Sequence, residues 1–281
     1  KQKTAYEIPK RDWSSDVCSS DLKNGVKCEY FDHHEPGKIP KHRNLTASID
    51  TSPEVCTSLL VDRKLNGRFR AWAVVAAFGD NLVAPALSAA APLAFDHTEL
   101  ARLHELGDCM NYNAYGESVD DLHYHPTDLY QAIRPYEDPR EFLISEPVFE
   151  VLRAARREDS ELAAEVKPAF ASGAAALYVL PDAAWSRRVH GVFGNELARD
   201  HKHRAHAVLV THKGGFAVSV RAPLEDPHGA GKLCLQFESG GGREGAGGIN
   251  HLPADQLEAF TGALDRKSTR LNSSHVSESR M

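Results

Sequence analysis

The chain has 281 residues, 42% of them hydrophobic, and a formal net charge of −6, enough for a sizeable core in one large domain or two smaller ones. An acidic balance excludes indiscriminate nucleic-acid binding, so any polyanion site has to be local, built from metal or a few basic residues. No apolar run approaches the length of a membrane span, and the cysteines form neither a CxxC pair nor a dense framework, so the expectation is a protein without a membrane partner, with reduced thiols, in the cytoplasm.

Both ends carry text that does not read as protein. DNA able to encode DWSSDVCSSDL (12–22) has a reverse complement that spells DRKSTRLNSS in one frame, and that string stands at 265–274; DNA for the opening KQKTAYEI similarly yields the closing Ser279, Arg280 and Met281. The pairing is that of a translated sequencing-library adapter. Fold reasoning is therefore confined to about 23–264, with 1–22 and 265–281 set aside as artefact and the gene expected to have been cut at both ends. The excluded ends carry a net +2, which leaves −8 on the body together with Cys28, Cys56, Cys109 and Cys234.

VKCEYF (26–31) reads as a buried strand, and Asp32, His33 and His34 follow at its end, where α/β proteins keep their chemistry. Ser52 as N-cap, Pro53 at the first helical position and Gly67 as a stop predict a helix over 53–65. RAWAVVAAFGDN (70–81) is apolar almost throughout, a buried helix or strand that delivers Asp80 at its exit. Asp96 and Glu99 predict a capping box opening the helix of DHTELARLHELGDCMN. The charged text from Pro147 to Lys167 predicts a helix between domains. AAALYVLP, HAVLVTHKG and FAVSVRAP then read as strands, with a helix over 185–200 between the first two. The glycine cluster SGGGREGAGGINHLP (239–253) leads into a final helix from about Ala254.

FDHH at a strand end, GDN some fifty residues later and GGGREGAGGI near the end together resemble the DHH phosphoesterase superfamily, with a C-terminal part similar to the DHHA1 domain of its nuclease branch. The superfamily includes RecJ-type exonucleases, oligoribonucleotide and cyclic-dinucleotide phosphodiesterases and inorganic pyrophosphatases. The resemblance covers essentially all of 23–264. It implies two divalent cations, usually manganese, held through four motifs, of which the third is Asp32, His33 and His34 and the fourth Asp80. His33 and Asp80 would then be ligands of one metal, Asp32 a partner of His33, and His34 would face the scissile phosphate as the catalytic imidazole. The first two motifs would precede Lys23, where the text is adapter. Mixed imidazole and carboxylate donors suit manganese, and two cations supply a deprotonated water and a counter-charge for phosphodiester hydrolysis.

In the second part, VSVRA resembles the strand that carries a substrate-contacting arginine, here Arg221 with Ser219 beside it. A guanidinium fork matches a phosphate edge. Gly240, Gly241 and Gly242 would let backbone N–H groups approach a phosphate as a nest, with Arg243 standing where the family motif carries a histidine. His251 is the alternative to that histidine.

Other clusters have plainer readings. His201, His203 and His206 lie in text that reads as a solvated connection; His123 and His125 read as packing residues; Arg187 and Arg188 read equally as a solvated helix face or a phosphate contact. The expectation is an α/β protein of two lobes: the C-terminal part of a parallel-sheet DHH domain (23–145), a linker helix (146–168) and a smaller α/β DHHA1-like domain (169–264), with the active site in the cleft between the lobes. The intact parent would be a metal-dependent phosphodiesterase acting on a short oligonucleotide or a (di)nucleotide. The alternatives are a nucleotide-binding regulatory protein with a degenerate metal site and a phosphoanhydride hydrolase. The chain as it stands would bind at most one metal weakly and show little or no activity.

Overall fold

The computed structural model describes residues 18–34 and 39–266. Two compact units form, one from residues 1–111 and 124–153, the other from 112–123 and 154–281. Most of the two segments read as adapter lies outside the described residues. Of the remainder, Leu22 is buried and Asp265 accepts a hydrogen bond from the Ser172 hydroxyl at 2.6 Å.

In the first unit, helix α1 (Cys18–Lys23) precedes strand β1 (Cys28–Asp32), which pairs in parallel with β2 (Leu45–Ile49), Cys28 opposite Leu45 and Asp32 opposite Ile49. A parallel pair needs a crossover between its strands, so Asp32, His33 and His34 stand where the chain leaves the sheet. Then come α2 (Thr57–Lys64), α3 (Arg70–Gly79), α4 (Val83–Ala90), α5 (His97–Tyr112), α6 (Pro126–Ile133) and α7 (Pro139–Ser145), and α8 (Val148–Glu165) runs from the first unit into the second after Arg153.

Helix α2 begins a turn later than the expected Pro53. The Asp50 carboxylate accepts the Ser52 N–H at 3.1 Å and the Ser52 hydroxyl as well, and the Val55 N–H returns to the Ser52 carbonyl at 3.2 Å. Ser52 is therefore engaged upstream, Pro53 and Glu54 make a turn, and Cys56 is the N-cap without a side-chain cap. The apolar run 70–81 resolves as a helix, with Val74, Val75, Ala77 and Phe78 buried. It meets α5 at bare backbone: a Cβ on Gly79 would sit 2.6 Å from the Gly107 carbonyl oxygen, and one on Gly107 would sit 2.2 Å from that of Val75. That crossing fixes the end of α3 and hence Asp80, its C-cap. The capping box forms as expected, Glu99 N–H to Asp96 at 2.8 Å and Asp96 N–H to Glu99 at 2.9 Å. Val75, Leu103, Leu106, Phe142, Phe149 and Leu152 make the core beneath α3 and α5.

The second unit is built on a six-stranded sheet of order β3-β4-β5-β6-β8-β7. Its members are β3 (Phe170–Ala171), β4 (Ala175–Leu180), β5 (Ala205–His212), β6 (Gly215–Arg221), β7 (Gly240–Gly242) and β8 (Ala246–Pro253). Only β4 and β5 pair in parallel, joined by the crossover helix α9 (Ala184–Asp200), and the other pairings are antiparallel. One face packs on α9 and α8 through Val189, Phe193, Val208 and Val210. The other packs on α10 (Ala230–Cys234) and on the closing helix α11 (257–266) through Leu233, Cys234, Phe260 and Leu264.

The glycine cluster is a β-hairpin rather than a nest. Its N–H groups are directed by the turns that bound it, Gly240 to the Phe237 carbonyl at 3.1 Å and Arg243 to that of Ala246 at 2.8 Å. His206 is also displaced from its expected place: it lies inside β5, fully buried, while His201 and His203 stay exposed in the connection.

Candidate active site

Strand β1 ends on a buried carboxylate that organises its neighbours. Asp32 Oδ2 accepts from the Tyr30 hydroxyl at 2.7 Å; Oδ1 accepts the backbone N–H groups of His33 at 2.8 Å and His34 at 3.2 Å, and the His34 Nδ1–H at 2.8 Å. Because a carboxylate only accepts, His34 carries its proton on Nδ1. Its side chain is 55% exposed, so the free Nε2 is open to solvent.

His33 is oriented by a different group. Its Nδ1 lies 2.8 Å from the Val55 carbonyl oxygen in the turn before α2, which makes Nδ1 the donor and leaves the Nε2 lone pair free. Nε2 is 3.6 Å from Asp80 Oδ2 at the end of α3. The expected cluster of Asp32, His33, His34 and Asp80 therefore assembles. Asp32 engages His34 and the local backbone, where the family pattern makes it the partner of His33. A cavity of about 290 Å³ opens beside it, lined among others by His33, Cys56, Trp72, Asp80, Met110 and Asn111. Burial pushes the Cys56 thiol up, so it stays protonated and is a poor ligand.

The chemistry of the two donors suits a divalent cation. A ligating histidine gives its second ring N–H to a carbonyl or carboxylate, which is the state the Val55 carbonyl imposes on His33. Two donors about 2.1 Å from one ion stand about 3.0–3.4 Å apart, so the 3.6 Å between His33 and Asp80 would close slightly around a cation. Among the described residues no group of three or more His, Cys, Asp or Glu side chains is placed to hold a metal. Glu35, within the opening motif, lies outside the described residues.

In the second unit Arg221 and Ser219 come together at the end of β6, with Arg221 Nη1–H donating to Ser219 Oγ at 2.9 Å and to the Val220 carbonyl at 3.1 Å. Nε–H donates to Asn195 Oδ1 at 2.5 Å and Nη2–H to the Gly191 carbonyl at 3.4 Å. Burial pulls the Arg221 guanidinium below its ordinary value. The glycines divide by face. Cβ atoms on Gly240, Gly242 and Gly247 would strike the backbone or side chains of α10 and the hairpin, the first at 1.8 Å from the Cys234 oxygen. Gly241 faces the other way into open space, and Ser219, Gly248 and Gly241 lie in one cross-strand row. Arg243 is exposed near the hairpin turn, and His251 is exposed on β8.

Arg187 and Arg188 are neither a solvated face nor free for a phosphate. Arg187 makes a two-pronged pair with Asp121 at 2.9 Å and bonds Asp182, and its guanidinium holds the Asp121 carboxyl below the usual range. Arg188 is buried on Asp159. His123 packs on Tyr112, its Nε2 2.9 Å from the phenol oxygen, and His125 caps α6 by accepting the Thr127 N–H at 3.1 Å. Sequence reasoning missed Val55 and Asn195. A carbonyl belongs to every residue and carries no signal; an asparagine in the interior of α9, beside Gly194, is a poor helix former and did carry one.

The α/β fold of this chain is similar to that of solved DHH-domain proteins. Among solved structures, a DHH-domain protein described as a member of a family of ribosomal proteins matches with a TM-score of 0.54 at 13% identity, over 89% of this chain and 65% of that one. The exonuclease RecJ bound to manganese matches with a TM-score of 0.53 at 16% identity, over 89% of this chain and 71% of that one. The chain thus spans only about two thirds of the length of these proteins, and at such identities the likeness is one of fold. No family model and no curated protein sequence matches the chain.

Proposed function

We propose that this chain is part of a divalent-metal phosphoesterase that hydrolyses a phosphodiester in a short single-stranded oligonucleotide or a dinucleotide. The observation that carries the reading is the His33 imidazole, tautomer set by the Val55 carbonyl and Nε2 3.6 Å from the Asp80 carboxylate. The fold shared with a RecJ exonuclease bound to manganese supports it. A cation on these two residues would supply a Lewis acid and a water deprotonated near neutral pH. His34, anchored to Asp32 through Nδ1, directs its outer nitrogen to solvent, where it serves as a hydrogen-bond donor to a phosphoryl oxygen when protonated. Arg221 and Ser219 would hold a substrate phosphate over the bare face at Gly241.

Manganese titration followed by the paramagnetic resonance of free Mn2+ tests the site. The expected result is one weak site, lost in His33→Ala and Asp80→Ala and kept in His34→Ala. Binding unchanged in both of the first two variants sinks the metal reading. Two donors rather than three or more also fit a second reading, a nucleotide-binding regulatory protein with a degenerate metal site. A panel of labelled dinucleotides, short oligonucleotides and pyrophosphate with Mn2+ separates hydrolysis of either bond type from binding without turnover.

A further inference from the structure

Arg221 is a half-buried cation without an acidic partner among the described residues. Its hydrogen bonds go to the carboxamide of Asn195, the hydroxyl of Ser219 and the carbonyls of Val220 and Gly191, all neutral. Two other arginines of the same unit are neutralised, part-buried Arg187 by Asp121 and Asp182 and buried Arg188 by Asp159. A desolvated charge is costly unless it is compensated, so a cage of neutral acceptors fixes a guanidinium in place and leaves its charge for an anion.

Helix α9 lies directly against this arginine. Gly191 and Gly194 bare one stripe of α9, and added Cβ atoms there would stand 3.8 Å from Arg221 Nη2 and 3.6 Å from its Cγ. Those are ordinary contact distances, so the guanidinium stem lies close against this stripe of the helix. Asn195 follows directly and supplies the shortest of the contacts, 2.5 Å to Nε. Nε is the one nitrogen whose single hydrogen fixes the rotation of the guanidinium plane.

We propose that Asn195 is a positioning residue for anion recognition: its carboxamide oxygen orients Arg221 through Nε–H while leaving the guanidinium charge uncompensated. The inference rests on the reading that Arg221 contacts a substrate phosphate. An aspartate at 195 would make the same bond and supply the missing counter-charge. It therefore strengthens the fold while defeating recognition, an inversion that a merely structural asparagine does not give.

The test uses the whole chain, AMP as the phosphate probe and three variants. Asn195→Ala is expected to weaken AMP binding by roughly tenfold, the worth of one hydrogen bond to a charged group. Asn195→Asp is expected to weaken it further while raising Tm, and Arg221→Met to abolish it. In 15N spectra the Arg221 Nε–H, protected from exchange in the wild type, becomes exposed in Asn195→Ala. A protected Nε–H in Asn195→Ala, or AMP affinity in both Asn195 variants equal to wild type while Arg221→Met fails, overturns the role of Asn195. AMP binding that survives Arg221→Met, or is missing from the wild type, instead overturns the reading of Arg221, with the Nε–H signal still deciding what Asn195 holds.

Discussion

Replacing Asp159 by asparagine is expected to cost the second unit several kcal/mol. Asp159 and Arg188 are 5% and 9% exposed, and the carboxylate takes Arg188 Nε at 2.7 Å and Nη2 at 3.2 Å while also accepting the Tyr112 hydroxyl. The third nitrogen of Arg188 donates to the Asp121 carbonyl at 2.6 Å, tying residues 112–123 to helices α8 and α9. Burial, with Asp159 second, holds the Tyr112 phenol far above its ordinary value, so it is a neutral donor throughout the working pH range. Asparagine keeps the volume but removes the charge and turns an amide N–H toward Arg188 or Tyr112. The result is a buried, unpaired cation, worth about 3–5 kcal/mol. Replacing both partners, Asp159→Leu with Arg188→Met, removes the charge problem and leaves the Asp121 carbonyl to find water while the Tyr112 hydroxyl keeps His123, about 1–3 kcal/mol at most. The double variant is therefore expected to be more stable than Asp159→Asn. Native-state hydrogen exchange at the β4 and β5 amides reads this unit by itself. A loss below about 1 kcal/mol in Asp159→Asn, or a double variant as unstable as the sum of its singles, would refute the reasoning.

Acid is expected to weaken the second unit before it protonates ordinary carboxylates. Burial pulls His206 and His190 from 6.5 down to about 4. Between those values the unfolded chain binds protons that the folded chain does not, so stability is full above about pH 6.5 and falls as pH drops toward 4, by about 3 kcal/mol for fully buried His206. Urea midpoints from pH 7 to 4.5 check this, and His206→Leu should remove about half of the slope. Gly240→Ala, whose Cβ would lie 1.8 Å from the Cys234 oxygen, is expected to lower stability by about 1–3 kcal/mol or more, whereas Gly241→Ala, facing open space, stays within about 0.5 kcal/mol; equal Tm losses would contradict the division of the glycines by face. Asp32→Ala is expected to release the His34 ring, seen as loss of a protected Nδ1–H in 15N spectra, since it removes the oxygen that accepts this bond at 2.8 Å.

Local text determined much of this protein. Alternation and apolar runs gave β4, β5 and β6 of the second sheet but not β3, β7 or β8, and Asp96 and Glu99 marked the start of α5, because these signals act between neighbours in sequence. The D-H-H cluster and Asp80 were legible as residue types. Tertiary structure decided which atoms they offer: only the placement of the Val55 carbonyl frees Nε2 of His33, and only the close crossing at Gly79 and Gly107 sets Asp80 3.6 Å from it. The same holds where expectation and structure parted. Asp50 took the hydroxyl that was to cap α2, Asp121 and Asp159 took the two arginines, and strand pairing turned a glycine-rich stretch into a hairpin with one face packed and one bare. Each depends on a partner far away in sequence or on which face of a sheet a residue occupies, and a polar side chain's fate is set by the nearest complementary group in space, which the linear text does not contain.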